Sequence, residues 1–345
     1  MKQPERVDAF GQHLKARYLA GPEDELVTAD KDLQEGREQE ALERWRRLAK
    51  NLRTSQKGDT LFPVRQAALR RIAETSAQRA DFDAALGSYE ALIHIDPRDL
   101  TAQMQRNALL LRIPGQRRNG EIKIRQLFER LPTSRDAALA FLRVSSERRD
   151  LVGALRAAEA IRGHSLARAF YDDWRFYWDT GANFSKKQAE FCTPTWTKDG
   201  GVELSAWIEE NAGILRFRVD TPMGVHIRLK NPRMVFDAAG QLMRWTPPGR
   251  GLRLSGIKES ESGWVVQPEG LTQTGHFIFD LPSPLSGKRV TVYFSAKVRP
   301  LVPAELRPLL ADRALVAGVR RELISAGGTA LIELLDSMLE DVSLR

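Results

Sequence analysis

The residues of this chain whose types could do chemistry are its five histidines, its one cysteine and the carboxylate pairs Asp172-Asp173 and Glu209-Glu210. His13, His94, His164, His226 and His276 are scattered, and none falls in the H-E-x-x-H spacing that places two imidazoles on one helix face around zinc. Their spacing predicts ordinary surface or structural histidines, with His94 on a helix and His226 and His276 in strands. Cys192 has no histidine near it in sequence, so an inert thiol is expected rather than an activated nucleophile. Glycoside hydrolysis needs two carboxyls facing one another across roughly 5–9.5 Å. Sequence neighbours do not provide that, and Asp172-Asp173 reads as the start or cap of the DDWRFYWD segment. There is no G-x-S-x-G, no Walker loop and no G-x-G-x-x-G. PPGRG at 247–251 is a turn-rich loop with no following G-K-S/T to cradle phosphate. No catalytic constellation, metal site or cofactor is expected.

Tryptophans offer a different chemistry. Trp196, Trp207, Trp245 and Trp264 fall in one region. Indoles can stack on the apolar faces of sugar rings, but they also fill cores. Trp207 alternates against Val202, Leu204, Ala206 and Ile208, which puts it on the opposite, outward face of a strand. Trp207 and Trp264 are therefore candidates for glycan stacking, with packing in a core as the alternative.

The elements that would position these groups follow from periodicity. Four segments carry a small residue, a bulky or apolar one four positions later and an apolar one three beyond that: Ala41/Trp45/Leu48, Ala85/Tyr89/Leu92, Gly120/Ile124/Leu127 and Ala154/Ala158/Ile161. Their first members stand 44, 35 and 34 positions apart, the first interval stretched by TSQKGDTLFP at 54–63. Small residues let paired helices approach closely, and Pro97 and Pro132 end the units they follow. The segment Ala80 to Asp99, ADFDAALGSYEALIHIDPRD, resembles the second half of a tetratricopeptide repeat, whose period is about 34 residues. Residues 1–170 are thus expected to form an all-α tetratricopeptide-like solenoid. Two departures stand out: the second helix of the third unit reads as starting at Gly120, and Glu25 and Asp32 occupy positions where apolar residues are expected. Such arrays bind extended peptides in the groove lined by each unit's first helix. The repeat offsets place Arg70 and Glu74 of the second unit, Gln105 of the third and Arg143 of the fourth in that groove.

Near residue 175 the period changes from helical to alternating. Val202 to Ile208, Leu215/Phe217/Val219, Val225/Ile227/Leu229, Phe277/Phe279/Leu281 and Val290 to Val298 read as half-buried strands. They are separated by turn clusters at 198–201, 210–213, 237–240 and 285–288. Residues 171–300 are therefore expected to form an antiparallel, jelly-roll-like β-sandwich. Residues 301–345 return to helical spacing in two stripes, Leu306 to Val319 and Leu331 to Val342, broken at Gly327-Gly328. That tail either docks back on the chain or drives self-association into a homo-oligomer. The fold class is α+β and multidomain.

Within the sandwich, YWDTGANFS places Asp179, Gly181, Phe184 and Ser185 in the spacing Asp-x-Gly-x-x-Phe-Ser. Leu215-Arg216-Phe217 with Asp220 and Pro222, and the strand GKRVTVYF at 287–294, continue the pattern. Residues 177–299 resemble a β-sandwich family found beside glycosyltransferase and tetratricopeptide modules in bacterial surface-polysaccharide assembly. The resemblance implies a carbohydrate-binding-like sandwich and a polysaccharide context, with Gly181 serving a turn and Phe217 and Phe294 the core. No glycosyltransferase domain accompanies it here, so no nucleotide-sugar site is implied.

The formal net charge is +8 in 345 residues. Basic and acidic residues are interleaved, which suits solvated helix faces better than a nucleic-acid surface. The largest local excess, Arg112 to Lys123, surrounds Pro114-Gly115 and reads as a loop. No run approaches the ~18 apolar residues of a membrane span. MKQPERVDAF has no apolar stretch after its lysine, and one cysteine allows no internal disulfide, so a reducing cytoplasm is the expected setting. The reading that results is a non-catalytic scaffold that binds a protein partner through its solenoid; the alternative is a glycan-binding module.

Overall fold

A computed structural model describes residues 21–171, 173–198, 200–209, 213–238, 241–245, 251–260, 263–266, 274–285 and 289–343. The turn residues 199, 210–212, 239–240 and 286–288, the loop residues 247–250, and His13, Asp172 and Glu210 lie outside them. A helical region comes first, then antiparallel sheets, then C-terminal helices. The chain divides into two compact units, one ending at Arg130 and the other beginning at Leu131.

The first unit holds the helices α1 (Pro22–Gln34), α2 (Glu38–Asn51), α3 (Phe62–Gln78), α4 (Phe82–Ile95), α5 (Leu100–Arg112) and α6 (Arg117–Arg130). The second opens with α7 (Arg135–Glu147) and α8 (Leu151–Tyr171). Each of the four triplets lies on the second helix of a pair, α2, α4, α6 or α8, and every member is buried. The turns repeat on the same spacing. Gly36, Ala80, Gly115 and Arg149 join the two helices of each pair with φ of 80°, 59°, 79° and 56°. A left-handed residue just past a helix lets the next N–H reach back and satisfy a stranded carbonyl. Arg37, Asp81 and Asp150 make that bond to Asp32, Ser76 and Ser145 at 2.8, 2.9 and 2.8 Å. Side chains also cap helix starts: Asp81 accepts from the Ala84 N–H at α4 and Asp99 from the Ala102 N–H at α5.

Three expectations change. The helix α6 starts at Arg117, so Arg117, Arg118 and Lys123 ride on a helix and not in a loop. Gly120 sits inside that helix, where an added Cβ would stand 3.0 Å from the backbone nitrogen of Leu111; glycine is what lets α5 and α6 approach this closely. Asp32, at an expected apolar position, is only 3% exposed because Arg37 and Arg44 both ion-pair with it. The bond from Arg37 holds its carboxyl below the usual range.

The second unit's sandwich consists of β1 (Trp174–Asp179), β2 (Ala189–Cys192), β3 (Thr195–Trp196), β4 (Gly201–Ile208), β5 (Ile214–Asp220), β6 (Ile227–Ala238), β7 (Gln241–Trp245), β8 (Leu252–Ser255), β9 (Ile257–Ser260), β10 (Gly263–Val266), β11 (His276–Leu285) and β12 (Val290–Pro300). One five-stranded sheet runs β2-β1-β5-β11-β8; the seven-stranded one runs β3-β4-β12-β6-β10-β9, with β7 beside β6. Alternation puts Phe176, Phe217 and Phe277 of the first sheet and Leu204, Phe236 and Phe294 of the second into one core. The Phe217 and Phe236 rings stack across it at 4.7 Å, and Phe277 and Phe294 meet at 5.8 Å. Burying each such side chain contributes about 1.5–3 kcal/mol. The strand β5 departs from strict alternation. Ile214 enters the core and Leu215 is exposed, because β5 and β11 shift register before Ile214 pairs with Leu285.

The helix α8 belongs to the sandwich as much as to its helical partner. Ala169 and Phe170 are part of the sandwich core, and Ala169 accepts a hydrogen bond from the Trp174 indole at 2.9 Å. The compact boundary therefore precedes the change of sequence period. The C-terminal segment, a 3-10 turn at Ala304–Leu306 followed by α9 (Arg307–Ala311), α10 (Arg313–Ser325) and α11 (Thr329–Ser343), packs on α8 within the same unit. Leu306, Leu310, Leu335 and Met338 of the two stripes are buried there.

Candidate functional site

In the first unit, Arg70 and Glu74 lie on α3 and Gln105 on α5, all on first helices of their pairs. Arg70 is not a free ligand group: it donates to Asp99 at 2.7 Å, and Asp99 already caps α5 through the Ala102 N–H. Glu74 stands 3.8 Å from Arg71, which also reaches Asp30 of α1 at 3.2 Å. The buried Tyr89 hydroxyl feels both neighbours. Burial raises its pKa, the Glu74 charge raises it further, and Arg70 opposes. Gln105 is exposed. Arg143 lies on α7 in the second unit, exposed and 3.7 Å from Glu305.

The seven-stranded sheet turns its outward face to solvent. Register sets Trp207, Thr291, Asp237 and Leu242 side by side across β4, β12, β6 and β7; the next row is Ser205, Tyr293, Val235 and Arg244. Trp207 is 66% exposed, Leu242 60% and Tyr293 46%. Arg289 lies over the Trp207 ring at 4.5 Å, so one indole face is covered. Tyr293 was legible: it holds the outward phase of an alternating strand, where small polar residues flank it.

Trp264 is corrected. It is 5% exposed and packs edge-on against Phe277 at 6.1 Å, so no indole face is open to a sugar. The half-exposed Trp196 stacks on Phe170.

The Asp-x-Gly-x-x-Phe-Ser residues come together on the outward side of the five-stranded sheet. Asp179 is buried, accepts from the Gly181 N–H at 2.8 Å and from Arg216 Nε at 2.6 Å. Burial works against its charge, but these donors outweigh it and hold the carboxyl below its ordinary value. Gly181 supplies a φ of 119°, and Phe184 stacks under both Arg216 and Arg218 at 5.2 Å. The motif folds and braces the β1–β2 connection.

Cys192, His226 and His276 all make contacts within the described residues. Burial pushes the Cys192 thiol up to about 12, far from a thiolate at neutral pH. His276 Nδ1 contacts Asp220 at 2.8 Å, and the Thr274 hydroxyl stands 3.2 Å from Nδ1 and 3.5 Å from Nε2. Asp220 is further engaged by Arg218 at 2.8 and 3.0 Å. His226 precedes β6 instead of lying in a strand; its N–H donates to Ser165 and its Nε2 meets Arg135. Among the described residues no group of three or more His, Cys, Asp or Glu is gathered to hold a metal. Nor is any helix among them long and apolar enough to cross a membrane.

No protein-family model and no curated protein matches the chain. Among solved structures it is similar to a protein from Bacteroides ovatus ATCC 8483 that carries a provisional name as a protein binding protein. The identity is 11%, over 43% of this chain and 83% of that one, with a TM-score of 0.25. A likeness this loose carries no weight for fold or function.

Proposed function

We propose that this protein is a non-catalytic interaction scaffold whose tetratricopeptide-like helices bind a protein partner, in the setting of bacterial surface-polysaccharide or glycoconjugate assembly that the sandwich resemblance implies. The supporting observation is the repeat itself. Buried triplets and left-handed turns recur on the same spacing, so the second helices are committed to packing. The first helices keep polar side chains such as Glu74 and Gln105 for an extended ligand. Capturing a partner on the full chain and substituting Glu74→Lys with Gln105→Arg tests this. Loss of the partner with an unchanged melting temperature is expected; retention of the partner sinks the reading.

The exposed Trp207 favours a second reading, a glycan-binding sheet face. A glycan array with wild type and Trp207→Ala decides it. Binding that is lost on substitution supports it, and no binding, or binding that survives Trp207→Ala, removes it.

A further inference from the structure

An open cleft of about 520 Å³ lies where β6 and β7 of one sheet meet β11 of the other. Phe236 and Met243 line it from β6 and β7, and Phe279, Leu281 and Pro282 from β11. The volume lies within the roughly 300–1,000 Å³ of pockets that take small ligands. Five apolar side chains define a body of hydrocarbon character. Two charged residues also line the cleft, Arg244 and Asp280. They are not equivalent. Asp280 is neutralised by Arg253, whose guanidinium donates to it at 2.7 Å. Arg244, exposed on the edge strand β7, has no hydrogen-bond or ion-pair partner among the described residues. An apolar cleft with one uncompensated guanidinium at its border is complementary to a hydrocarbon chain ending in an anion.

We propose that this cleft binds a small amphipathic carboxylate, its hydrocarbon chain between Phe236, Met243 and Phe279 and its carboxylate on Arg244. The site shares Arg244 with the outward row of the seven-stranded sheet, but its apolar lining, Phe236, Met243 and Phe279, is distinct from Trp207, so loss of glycan binding in Trp207→Ala leaves it untouched. Cleft shape selects the chain, and Arg244 selects the carboxylate over a neutral headgroup.

Calorimetric titration of the full chain with decanoate, below its micelle concentration, and with decanol tests it. Wild type is expected to prefer decanoate. Arg244→Gln, a change at an exposed position that should leave the fold intact, is expected to weaken decanoate about five- to tenfold and leave decanol unchanged, as loss of a charge-assisted hydrogen bond would. Met243→Trp, which fills the cleft, is expected to weaken both ligands. No decanoate binding by wild type overturns the proposal. So does equal decanoate affinity in wild type and Arg244→Gln, or undiminished binding by Met243→Trp.

Discussion

Inside the second unit the Arg135 guanidinium meets the Nε2 of His226, joining α7 to the segment that enters β6. Arg135 is only 6% exposed, and burial lowers its pKa. Beside it burial raises the Asp136 carboxyl, although the Arg135 charge opposes the shift. An imidazole facing a guanidinium accepts its N–H only when neutral.

Stability should therefore fall on mild acidification. Burial first, then the charges of Arg135 and His164, lower the His226 pKa from 6.5 to about 4. The unfolded chain binds the proton as pH drops through about 6.5 while the folded chain resists it until about 4, so stability is lost across that window and is complete above it. At about 1.4 kcal/mol per unit, and allowing for partial exposure, the loss is on the order of 2–3 kcal/mol. Urea midpoints between pH 7.5 and 4.5 measure it. His226→Gln should flatten the dependence above pH 5, and an unchanged slope would contradict this assignment.

Asp179→Ala should be strongly destabilising. It leaves the Arg216 guanidinium and the Gly181 N–H without the buried acceptor that joins them. Breaking a buried pair from one side costs about 3–5 kcal/mol. Because Arg216 retains Asn183 as a partner at 2.9 Å, the lower end of that range is expected in equilibrium unfolding.

Ala80→Gly should stabilise the first unit. Ala80 holds a φ of 59° in the turn between α3 and α4, where Gly36 and Gly115 occupy the matching turns. Left-handed backbone costs a non-glycine residue about 1–2 kcal/mol, partly offset by the greater freedom of glycine in the unfolded chain. A net gain of about 0.5–1 kcal/mol is expected from the denaturant midpoint, and a loss would refute the strain argument.

Leu335→Ala should lower stability independently of protein concentration. Leu335 is fully buried where α11 packs within its own unit. Truncating a buried leucine costs about 2–5 kcal/mol. A melting temperature that rises with protein concentration in wild type and loses that dependence in the variant would instead show that the helix stabilises an oligomer.

Particular residues show how far the sequence reached. Ala41, Ala85, Gly120 and Ala154 announced the second helices, because small residues permit close approach, and each is buried on one. Val202 to Ile208 announced both a strand and the outward Trp207, because strand side chains alternate. The same rule misplaced Leu215, where a register shift intervenes, and alternation could not decide Trp264. Asp32 looked out of place on an apolar stripe, since its partners Arg37 and Arg44 are contributed by the turn and the next helix. The Arg244 cleft had no sequence signal, because its walls come from strands about forty positions apart in the chain.

The order of helices, strands and helices and the repeat spacing were determined by the sequence alone, for they rest on local periodicity and residue type. Which polar groups are engaged was decided by tertiary structure. Arg70 is tied to Asp99, Trp264 is enclosed and Trp207 remains open. Burial and pairing depend on what distant segments bring to a side chain, and local periodicity carries no record of that.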